Sequence, residues 1–585
     1  MSQARLLARL LAAVLIFACG EVLAVADEAP TLRDTMSDTW AATDGLGRRL
    51  PGFAECGPRR EGRFVGIFGF TWQGGHPRDR VYDISKLLAA DPKNPAWGPE
   101  GAFHWWGEPH LGYYVMDDEF VIRKHAQMLT DAGVDVMFLD VTNGFTYDHN
   151  FLTICRVYDR MRRLGQPTPQ IGFLANAGAD RVVRHLYDSF YGKGYYPDLW
   201  FRWHGKPIIL APAEDLDADL KDFFTLRQSW AWSNPGGWFG DGRDKWPWLD
   251  SHPQQPGWHE PGVPEELSVC VAQHPTSNIG RSFHAGKQPP PDQLQTTAGL
   301  CFQEQWERAL EVDPQFVFIT GWNEWIAQRF LSDGNAGFLG RRLPKGETFF
   351  VDQYSQEYSR DIEPMRGGHG DAYYYQMVSY IRRYKGVRPA PRPSAPRTIA
   401  VPGPFAQWAQ VNPLYLDDLG DTAHRDHPGY GQGTVYRNTS GRNDFERLRV
   451  ARDDRHVFFY ARTRAAITAP EGSNWMVLLL NTDGGADTGW NGYDLLVNRH
   501  RPQPGTCSVE QHSGSGWNWR CIGQASLEWD GRELHLAVPR ALLGSGRLTL
   551  EFKWADNVPE RGDIMDFIDQ GDVAPNGRFN YCYVE

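Results

Sequence analysis

The chain has 585 residues and a formal net charge of −12. One hydrophobic core stops growing at roughly 250–300 residues, so a single-domain protein is excluded. Nucleic-acid binding is disfavoured, because phosphate contacts need clustered Lys and Arg and the sequence has no basic block. The 23 Trp and 23 Tyr residues either line the surface in part or fill an unusually Trp-rich core.

The first 26 residues have the pattern of a secretory signal peptide. Two arginines precede an apolar run over residues 10–17, and Ala24 and Ala26 form a small-x-small cleavage signal. Lipid attachment at Cys19 is the alternative way in which this segment could be processed. No other stretch reaches the ~20 apolar residues that a membrane span needs. We therefore expect a periplasmic or secreted protein without a membrane span.

A regular alternation of short apolar strands and helices follows a mixed lead-in segment at residues 27–62. Strands separated by helices favour a parallel sheet that is covered on both faces. We predict a (β/α)8 barrel over residues 63–386; a doubly wound open sheet is the alternative, although no GxGxxG follows the first strand. The predicted strands cover residues 63–71, 134–139, 171–174, 207–210, 224–232, 267–272 and 316–320, and the predicted helices cover residues 118–132, 303–310 and 372–384.

The pattern changes after residues 387–400, which are rich in Pro and Arg and predict a linker. Short segments rich in β-branched and aromatic residues follow, and they predict a β-sandwich over residues 401–585. Cys507 and Cys521 flank a predicted strand–turn–strand, so the sequence leaves open whether a disulfide joins them. No cysteine has a spacing that would indicate a structural zinc.

Three segments of the predicted barrel resemble a known family. They are Gly-Tyr-Tyr-Val-Met-Asp-Asp at residues 112–118, the Gly-Lys-Pro strand at residues 201–210, and residues 318–325, which end in Asn-Glu-Trp. Together they resemble glycoside hydrolase family 99-like proteins, a group that includes members associated with polysaccharide biosynthesis. The resemblance covers residues 63–386. It implies a (β/α)8 barrel that hydrolyses glycosidic bonds.

The resemblance also indicates a catalytic residue. The endo-mannosidase members of the family carry two carboxylates in the pattern Asn-Glu-Trp-x-Glu, and the first of them maps onto Glu324. The second position is Ala327 here. Glycoside hydrolysis needs two carboxyl groups at the scissile bond, so the partner must come from elsewhere in the barrel. Asp140 at a strand end and Asp250 in a Trp-rich loop are equally ranked candidates, and Glu304 ranks behind them.

Aromatic and polar side chains near the predicted strand ends are candidate sugar contacts. Aromatic planes stack on the C–H faces of sugars, and histidine or asparagine side chains can bind sugar hydroxyls. A structural role is an equally good explanation for each histidine. The candidate contacts are Trp72, His104, Trp105, Trp106, Asn143, Asn176, His274, Trp322, Asn323 and Trp325.

The C-terminal region carries two further motifs, at residues 475–483 and 488–494. They resemble family 9-like carbohydrate-binding modules, and this resemblance implies a sugar-binding domain. Trp490 and Tyr493 are candidate sugar platforms or core residues. Asp483 and Asp487 lie in a turn that could hold a structural calcium ion, although an ordinary Asp/Gly-rich turn is the alternative.

These features together predict an exported glycoside hydrolase that acts on a polysaccharide or glycan through carboxyl groups. We expect no cofactor to be required for catalysis. A non-catalytic glycan-binding protein is one alternative, consistent with Ala327 in place of a carboxylate. A glycosyltransferase-like role in polysaccharide assembly is another, which the signal peptide disfavours because nucleotide-sugar donors are scarce outside the cytoplasm. The sequence does not define the oligomeric state.

Overall fold

The structure is a computed structural model that describes residues 31–74, 80–234, 237–544 and 546–585. The predicted signal peptide and Cys19 lie outside these described residues. Within the described ranges, every helix is too short or too polar to cross a lipid bilayer.

The N-terminal domain alternates strands with helices, as the apolar pattern predicted. Its strands are β1 (Phe64–Gly69), β2 (Phe103–Trp105), β3 (Val136–Val141), β4 (Gln170–Ala175), β5 (Arg202–Trp203), β6 (Lys206–Leu210), β7 (Thr225–Arg227), β8 (Gly257–Trp258), β9 (Pro264–Cys270), β10 (Phe316–Thr320), β11 (Ile326–Leu331), β12 (Gly337–Phe338), β13 (Arg341–Arg342) and β14 (Thr348–Phe350). Its helices are α1 (Phe53–Cys56), α2 (Ile84–Ala90), α3 (Glu119–Ala132), α4 (Asp148–Arg163), α5 (Ala179–Ser189), α6 (Ala218–Phe223), α7 (Leu300–Val312) and α8 (Ala372–Lys385).

Seven of these strands form one curled parallel sheet, in the order β7–β6–β4–β3–β1–β10–β9. Val65 of β1 pairs with Val317 of β10, while the next residue, Gly66, pairs with Val136 of β3. The first strand therefore lies between the second and the last parallel strands, and the sheet curls back on itself. In the described residues no ladder joins β7 to β9; the segment between them makes isolated bridges, such as the parallel bridge from Gln228 to Lys245, and the short antiparallel pairing of β8 with β9.

Helix α3 illustrates how the sequence determines an element and how the second domain changes its surroundings. The Asp118 carboxylate caps the helix by accepting a hydrogen bond from the Phe120 amide at 3.1 Å, and the helix ends at Gly133, whose φ is 86°. The charged residues Arg123 and Asp131, on the helix itself, are nevertheless buried. They are buried because the C-terminal domain covers this helix.

The C-terminal domain is built on one antiparallel sheet of eleven strands. The elements are β15 (Leu414–Leu416), β16 (Arg425–Pro428), β17 (Val435–Asn438), β18 (Phe445–Arg452), β19 (His456–Thr463), β20 (Val477–Asn481), β21 (Leu495–Val497), β22 (Thr506–His512), β23 (Trp519–Asp530), β24 (Glu533–Pro539), β25 (Thr549–Asp556), β26 (Asp572–Ala574), β27 (Tyr581–Val584) and helix α9 (Asp566–Asp569). The strand order in the sheet is β15–β18–β19–β24–β23–β22–β21–β20–β25–β26, with β27 paired to β25, and β16 and β17 form a separate hairpin.

This sheet differs from the predicted sandwich of two separate sheets. It is continuous and folds back until its ends approach each other. The Tyr415 hydroxyl of β15 donates to the Cys582 carbonyl at 2.7 Å, and the Tyr581 hydroxyl donates to the Leu416 carbonyl at 2.9 Å. Alternating short strands are compatible with two sheets or with one folded sheet, so the pattern alone could not separate them.

The two domains share a broad interface, to which the lead-in segment and the predicted linker both contribute. Ala41 pairs with Asn580 near the C-terminus. Arg388, at the start of the linker, forms an ion pair with Asp38 at 2.5 Å. The ring of Tyr374 on α8 packs edge-on against Phe579, at a centroid distance of 6.3 Å. The Pro-rich segment therefore contacts the lead-in segment through Arg388, while Ser394 and Arg397 further along hydrogen-bond to the C-terminal domain.

The cysteines of the C-terminal domain are not bridged. On the paired strands β22 and β23, Cys507 lies opposite Ala525 and Cys521 lies opposite Glu510. The two thiols are therefore out of register and cannot form a disulfide without moving a strand. All seven cysteines in the described part of the chain are free thiols.

Candidate active site

The loop after β10 carries Glu324 and is held against the loop after β1. The Asn323 side chain accepts a hydrogen bond from the Phe70 amide at 2.8 Å and donates to the Phe70 carbonyl at 3.0 Å. Gln73 donates to the Asn323 carbonyl at 2.5 Å. Asn323, a predicted sugar contact, is thus buried and used to position the loop. The loop in turn fixes Glu324 at the carboxyl end of the parallel sheet.

Glu324 lies in a buried polar cluster formed with the segment at residues 351–361. Its Oε2 accepts hydrogen bonds from the Arg360 guanidinium and, at 2.6 Å, from Gln353. Its backbone amide donates to Asp361 at 2.5 Å. The side chains of Glu324 and Arg360 are only 5% and 2% exposed. Among the described residues, no donor reaches Oε1, so one oxygen of this carboxyl group is left for a ligand.

Burial raises the pKa values of two carboxyl groups in this cluster. Burial raises the pKa of Glu324 well above its ordinary value, although the positive charge of Arg360 opposes the shift. Burial likewise raises the pKa of Asp361 to about 6, against its hydrogen bonds from the Glu324 amide and the Trp106 indole. The cluster therefore favours a protonated Glu324 beside a fixed cation.

Asp140 interacts electrostatically with the cluster around Glu324. It lies near the end of β3, and its Oδ1 accepts a hydrogen bond from the Thr142 amide at 2.9 Å. Burial raises its pKa to about 6, with smaller effects from the charges of Asp352 and Arg360. The charge of Asp140 also contributes to the raised pKa of Glu324. Two of the three predicted catalytic residues, Asp140 and Glu324, are therefore buried near the carboxyl ends of parallel strands and interact electrostatically.

Asp250, the third predicted catalytic residue, is engaged by its own loop. Its carboxylate accepts hydrogen bonds from the Ser233 amide at 3.1 Å and hydroxyl, from the Ser251 amide at 2.9 Å and from the Gln255 amide at 3.0 Å. A carboxylate with this many local donors organises a loop. Glu304, on α7, accepts from the Ala285 amide at 2.9 Å and is partly buried rather than fully solvated.

His274 lies at the edge of the cluster. Its Nε2 is 3.4 Å from Asp352 Oδ1, and Asp352 is in turn 3.9 Å from Arg360. Burial, together with the charge of Arg360, lowers the pKa of His274. Its ring packs against Trp232 at a centroid distance of 5.0 Å. A neutral histidine here has one donor and one acceptor nitrogen, so it can hydrogen-bond to a polar ligand.

The loop after β3 presents an exposed aromatic residue near Asp140. Phe145 is 65% exposed, and its ring lies 6.3 Å from that of Tyr147. Burial and the charge of Asp140 raise the pKa of Tyr147 to about 12. Asn143 is exposed on the same loop, and Asn176 is half-buried after β4. These side chains form a surface at the carboxyl end of the sheet that a sugar could contact.

The tryptophans next to Glu324 are not exposed platforms, contrary to the prediction. Trp322 is fully buried, and its indole meets His125 edge-on at 5.4 Å. Trp325 stacks on Trp106 at a centroid distance of 4.4 Å. The Trp325 indole donates to Glu363 at 2.6 Å. Strands and loops beyond the parallel sheet cover these rings, so they support the site from within the core.

The remaining predicted contacts in this region are also packed into the protein. His104 is buried, with its Nε2 accepting from the Gly98 amide at 3.3 Å and its Nδ1 3.0 Å from the Ala102 carbonyl oxygen. Burial lowers its pKa to about 4. Trp105 is completely buried, and Trp72 is partly buried, with its ring 5.7 Å from that of Phe103.

The predicted sugar platform of the C-terminal domain is likewise core. Trp490 and Tyr493 are 6% and 1% exposed, and Trp490 packs edge-on against Trp517 at 4.5 Å. In the adjacent turn, the Asp483 carboxylate accepts from the Gly485 amide at 2.7 Å, while Asp487 is exposed. This is the hydrogen bonding of an ordinary Asp/Gly-rich turn.

Four polar residues of the cluster were not predicted from the sequence. They come from one irregular segment after β14, which has no apolar periodicity and matches none of the motifs. The only local signal is the density of charged residues in it. The four residues are Asp352, Gln353, Arg360 and Asp361.

Comparison with known proteins gives only a distant likeness. No protein-family profile and no curated protein matches this chain. Among solved structures, the family 99 endo-α-mannosidase from Bacteroides thetaiotaomicron is 13% identical, with a TM-score of 0.33 over 56% of this chain and 98% of that chain. Its complex with bis-tris-propane is 12% identical, with a TM-score of 0.31 over 55% of this chain and 98% of that chain.

Proposed function

We propose that the protein is an exported glycoside hydrolase whose catalytic domain is a (β/α)8 barrel. The observation that carries the proposal is the position of Glu324 and Asp140. Both are buried carboxyl groups at the carboxyl end of one parallel sheet, where barrel enzymes hold their catalytic residues. Glycoside hydrolysis needs two such groups. The Asn-Glu-Trp motif around Glu324 supports the same reaction.

The two carboxyl groups differ in the way that acid–base catalysis requires. The pKa of Glu324 is raised well above its ordinary value, which suits a general acid that protonates the leaving oxygen. The pKa of Asp140 is about 6, so at neutral pH it is ionised and can serve as the carboxylate partner at the anomeric carbon. As the C–O bond breaks, the proton passes from Glu324 to the departing sugar oxygen, and the anomeric carbon forms a new bond either to a water molecule that gives its proton to Asp140 or to Asp140 itself, whose ester water then hydrolyses.

Arg360 would stabilise the product of that proton transfer. Once Glu324 gives up its proton, its carboxylate is buried and needs a positive partner. Arg360 already touches Glu324 Oε2, and its guanidinium lies 5.4 Å from the centre of the Trp248 ring, which limits its freedom. A cation fixed before the reaction stabilises the charge that develops without reorganisation.

The proposed substrate is a polysaccharide or glycan outside the cytoplasm. Phe145 would stack on a sugar ring, and Asn143, Asn176 and His274 would bind hydroxyls. The proposal that the protein is exported rests on the signal-peptide pattern at residues 1–26. The C-terminal domain would bind carbohydrate through a surface other than Trp490 and its neighbours, because those rings are core.

A non-catalytic glycan-binding protein is the second candidate. It is favoured by Ala327, which stands where the resembling enzymes carry their second carboxylate. The deciding experiment incubates the secreted protein with a panel of plant, algal and host glycans and measures both retention and released sugar. Released reducing sugar from a bound glycan supports the hydrolase. Binding without release from any bound glycan supports the second candidate.

A further inference from the structure

A group of buried aspartates lies where helix α3 meets the C-terminal domain. The aspartates come from separate parts of the chain: the end of α3, the loop after β15, the start of β18 and the start of β26. Hydrogen bonds link several of them: the Gln127 side chain donates to Asp418 and Asp421, and the Asn576 side chain donates to Asp131 and Asp418. The members are Asp131, Asp417, Asp418, Asp421, Asp444 and Asp572.

Three of these residues have the spacing of metal ligands. Asp417, Asp421 and Asp572 each place one carboxylate oxygen within 4.8 Å of the others, and the three residues are 2%, 3% and 3% exposed. Calcium binds oxygen ligands at about 2.3–2.6 Å, so ligands on opposite sides of the ion lie about 4.6–5.2 Å apart. The three oxygens could therefore surround one calcium ion with little movement.

The oxygens available to an ion have no other partner. Asp417 Oδ2 and Asp421 Oδ1 are buried and accept no hydrogen bond from any described residue. The same is true of Asp444 Oδ1 and of Gln127 Oε1 on α3. Buried polar atoms are normally satisfied, and leaving one unpaired costs about 1–3 kcal/mol. A cation bound here would satisfy the unpaired acceptors of Asp417, Asp421 and the adjoining Gln127.

The opposite carboxylate oxygens are already used to hold the ligands in position. Asp421 Oδ2 accepts from the Gln127 side chain at 3.0 Å, and Asp572 Oδ2 accepts from the Phe445 amide at 2.7 Å. Asp444 Oδ2 accepts from the Gly420 amide at 2.8 Å. These bonds orient the carboxylates and leave the second oxygen of Asp421 and Asp444 free, the arrangement expected around a metal.

The nearby basic residues do not neutralise the group. Arg33 donates to the Glu446 carbonyl at 2.6 Å, and Arg123 donates to Gln166 at 2.9 Å. Burial lowers the pKa of Lys553 to about 7, and its amine donates to the Pro575 carbonyl. Within the described ranges, the only ion pair made by the six aspartates is the 3.6 Å contact of Asp444 with Arg464. Apart from Arg464, the carboxyl groups of the six described aspartates therefore have no cationic side chain within ion-pair distance.

We propose that Asp417, Asp421 and Asp572 bind one calcium ion, with Asp444 and the Gln127 side-chain oxygen as further donors. A hard divalent cation suits an all-oxygen set of this kind. Since Gln127 belongs to α3 and the aspartates to the C-terminal domain, the ion joins the two domains. This site is distinct from the Asp483 turn in which the sequence suggested calcium.

The test uses the full-length protein purified without chelator. Elemental analysis should find one calcium per chain, and EGTA should lower the melting temperature, which CaCl2 in excess over EGTA should restore, because a ligand of the folded state stabilises it. Asp421→Asn and Asp572→Asn should abolish both the bound calcium and the response. The control D483N/D487N should keep both.

Two results would overturn the proposal. The first is wild-type protein that contains no calcium and melts at the same temperature with EGTA as with CaCl2, which would mean that the group is neutralised by protons. The second is loss of calcium in D483N/D487N with retention in D421N. Should the single variants fail to fold, the wild-type measurements decide alone.

Discussion

Arg360 and Gln353 both donate to the same oxygen of Glu324, and they are themselves joined. The Arg360 amide donates to Gln353 Oε1 at 3.0 Å, while the Gln353 amide group donates to Glu324 Oε2 at 2.6 Å. The two donors therefore restrain each other as well as the carboxyl group. One oxygen of Glu324 is fixed by this arrangement, and the other accepts no hydrogen bond from a described residue.

Replacing Glu324 by glutamine should abolish most of the activity. Glutamine keeps the shape and can still accept from Arg360, but it has no proton to give. We expect hydrolysis of the responsive glycan to fall by at least about a hundredfold, the lower end for acid–base catalysis. The melting temperature and glycan retention should change little. Glu304→Gln, the same substitution on α7, is the matched control and should keep near-normal turnover. Near-normal turnover in folded E324Q would refute the assignment.

The pH profile should be bell-shaped, with its rising limb set by Asp140. A base must be ionised, so activity should increase as the pH rises through about 6, the pKa of Asp140. Activity should decline at higher pH as Glu324 loses its proton. Asp140→Asn should reduce turnover by about a hundredfold or more and remove the limb near pH 6. If activity instead falls as the pH rises through 6, the acid and the base are assigned in reverse.

Phe145 should contribute to substrate binding without contributing to stability. Its side chain is 65% exposed, so truncation to alanine removes few packing contacts. We expect Phe145→Ala to raise KM severalfold, with kcat and the melting temperature nearly unchanged. Trp490→Ala is the contrasting variant, since that ring is buried, and it should lower the melting temperature. A wild-type KM for F145A would remove Phe145 from the proposed sugar-binding surface.

The sequence predicted elements that have strong local patterns. Strands β1, β3 and β10 appear within three residues of their predicted bounds, because runs of apolar residues bounded by polar ones define buried strands. Of the strand predicted over residues 224–232, only Thr225–Arg227 is a strand in the structure. Trp232 has a φ of 57°, which lies outside the β region. Helix α4 was not predicted, although its apolar face is regular.

The site was harder to predict because distant segments build it. Glu324 could be found from its motif and Asp140 from its strand end. Arg360 could not, since only the fold brings an irregular segment of residues 351–361 against Glu324. The buried tryptophans were predicted to be exposed for the same reason. Trp106 is covered by Trp325, and the two residues are far apart in the sequence.

Glu265 should contribute stability that is lost in acid. It is buried at the start of β9, where it accepts a pair of 2.6 Å bonds from Arg227. Although burial alone would raise the pKa of Glu265, the bonds from Arg227 and from two indoles lower it to about 2. Because the folded-state pKa is below the unfolded value of about 4.3, this stability is complete above pH 4.3 and lost as the pH falls toward 2.

The Glu265→Gln variant tests this linkage by denaturant unfolding. Breaking a buried pair costs about 3–5 kcal/mol, so E265Q should be less stable by that order at pH 7. The difference between wild type and variant should shrink between pH 4 and pH 2. Glu311→Gln is the control, since its side chain is 70% exposed and its contact with Arg308 is a surface pair. A difference that stays constant with pH would contradict the linkage.

The ion pair between Arg425 and Asp118 should hold the two domains together. Arg425 Nε lies 2.8 Å from Asp118 Oδ2, its Nη1 donates to the Leu111 carbonyl at 2.8 Å, and both side chains are at least nine-tenths buried. Removing one partner leaves a buried charge unpaired, at a cost of about 3–5 kcal/mol. Arg425→Met should therefore lower the unfolding free energy by that order and expose the interface to limited proteolysis.

Arg437→Met, in the exposed pair with Asp426, should do neither. The double variant D118N/R425M should recover part of the loss, because it leaves no charge behind. Equal stability of R425M and R437M would show that the pair does not join the domains.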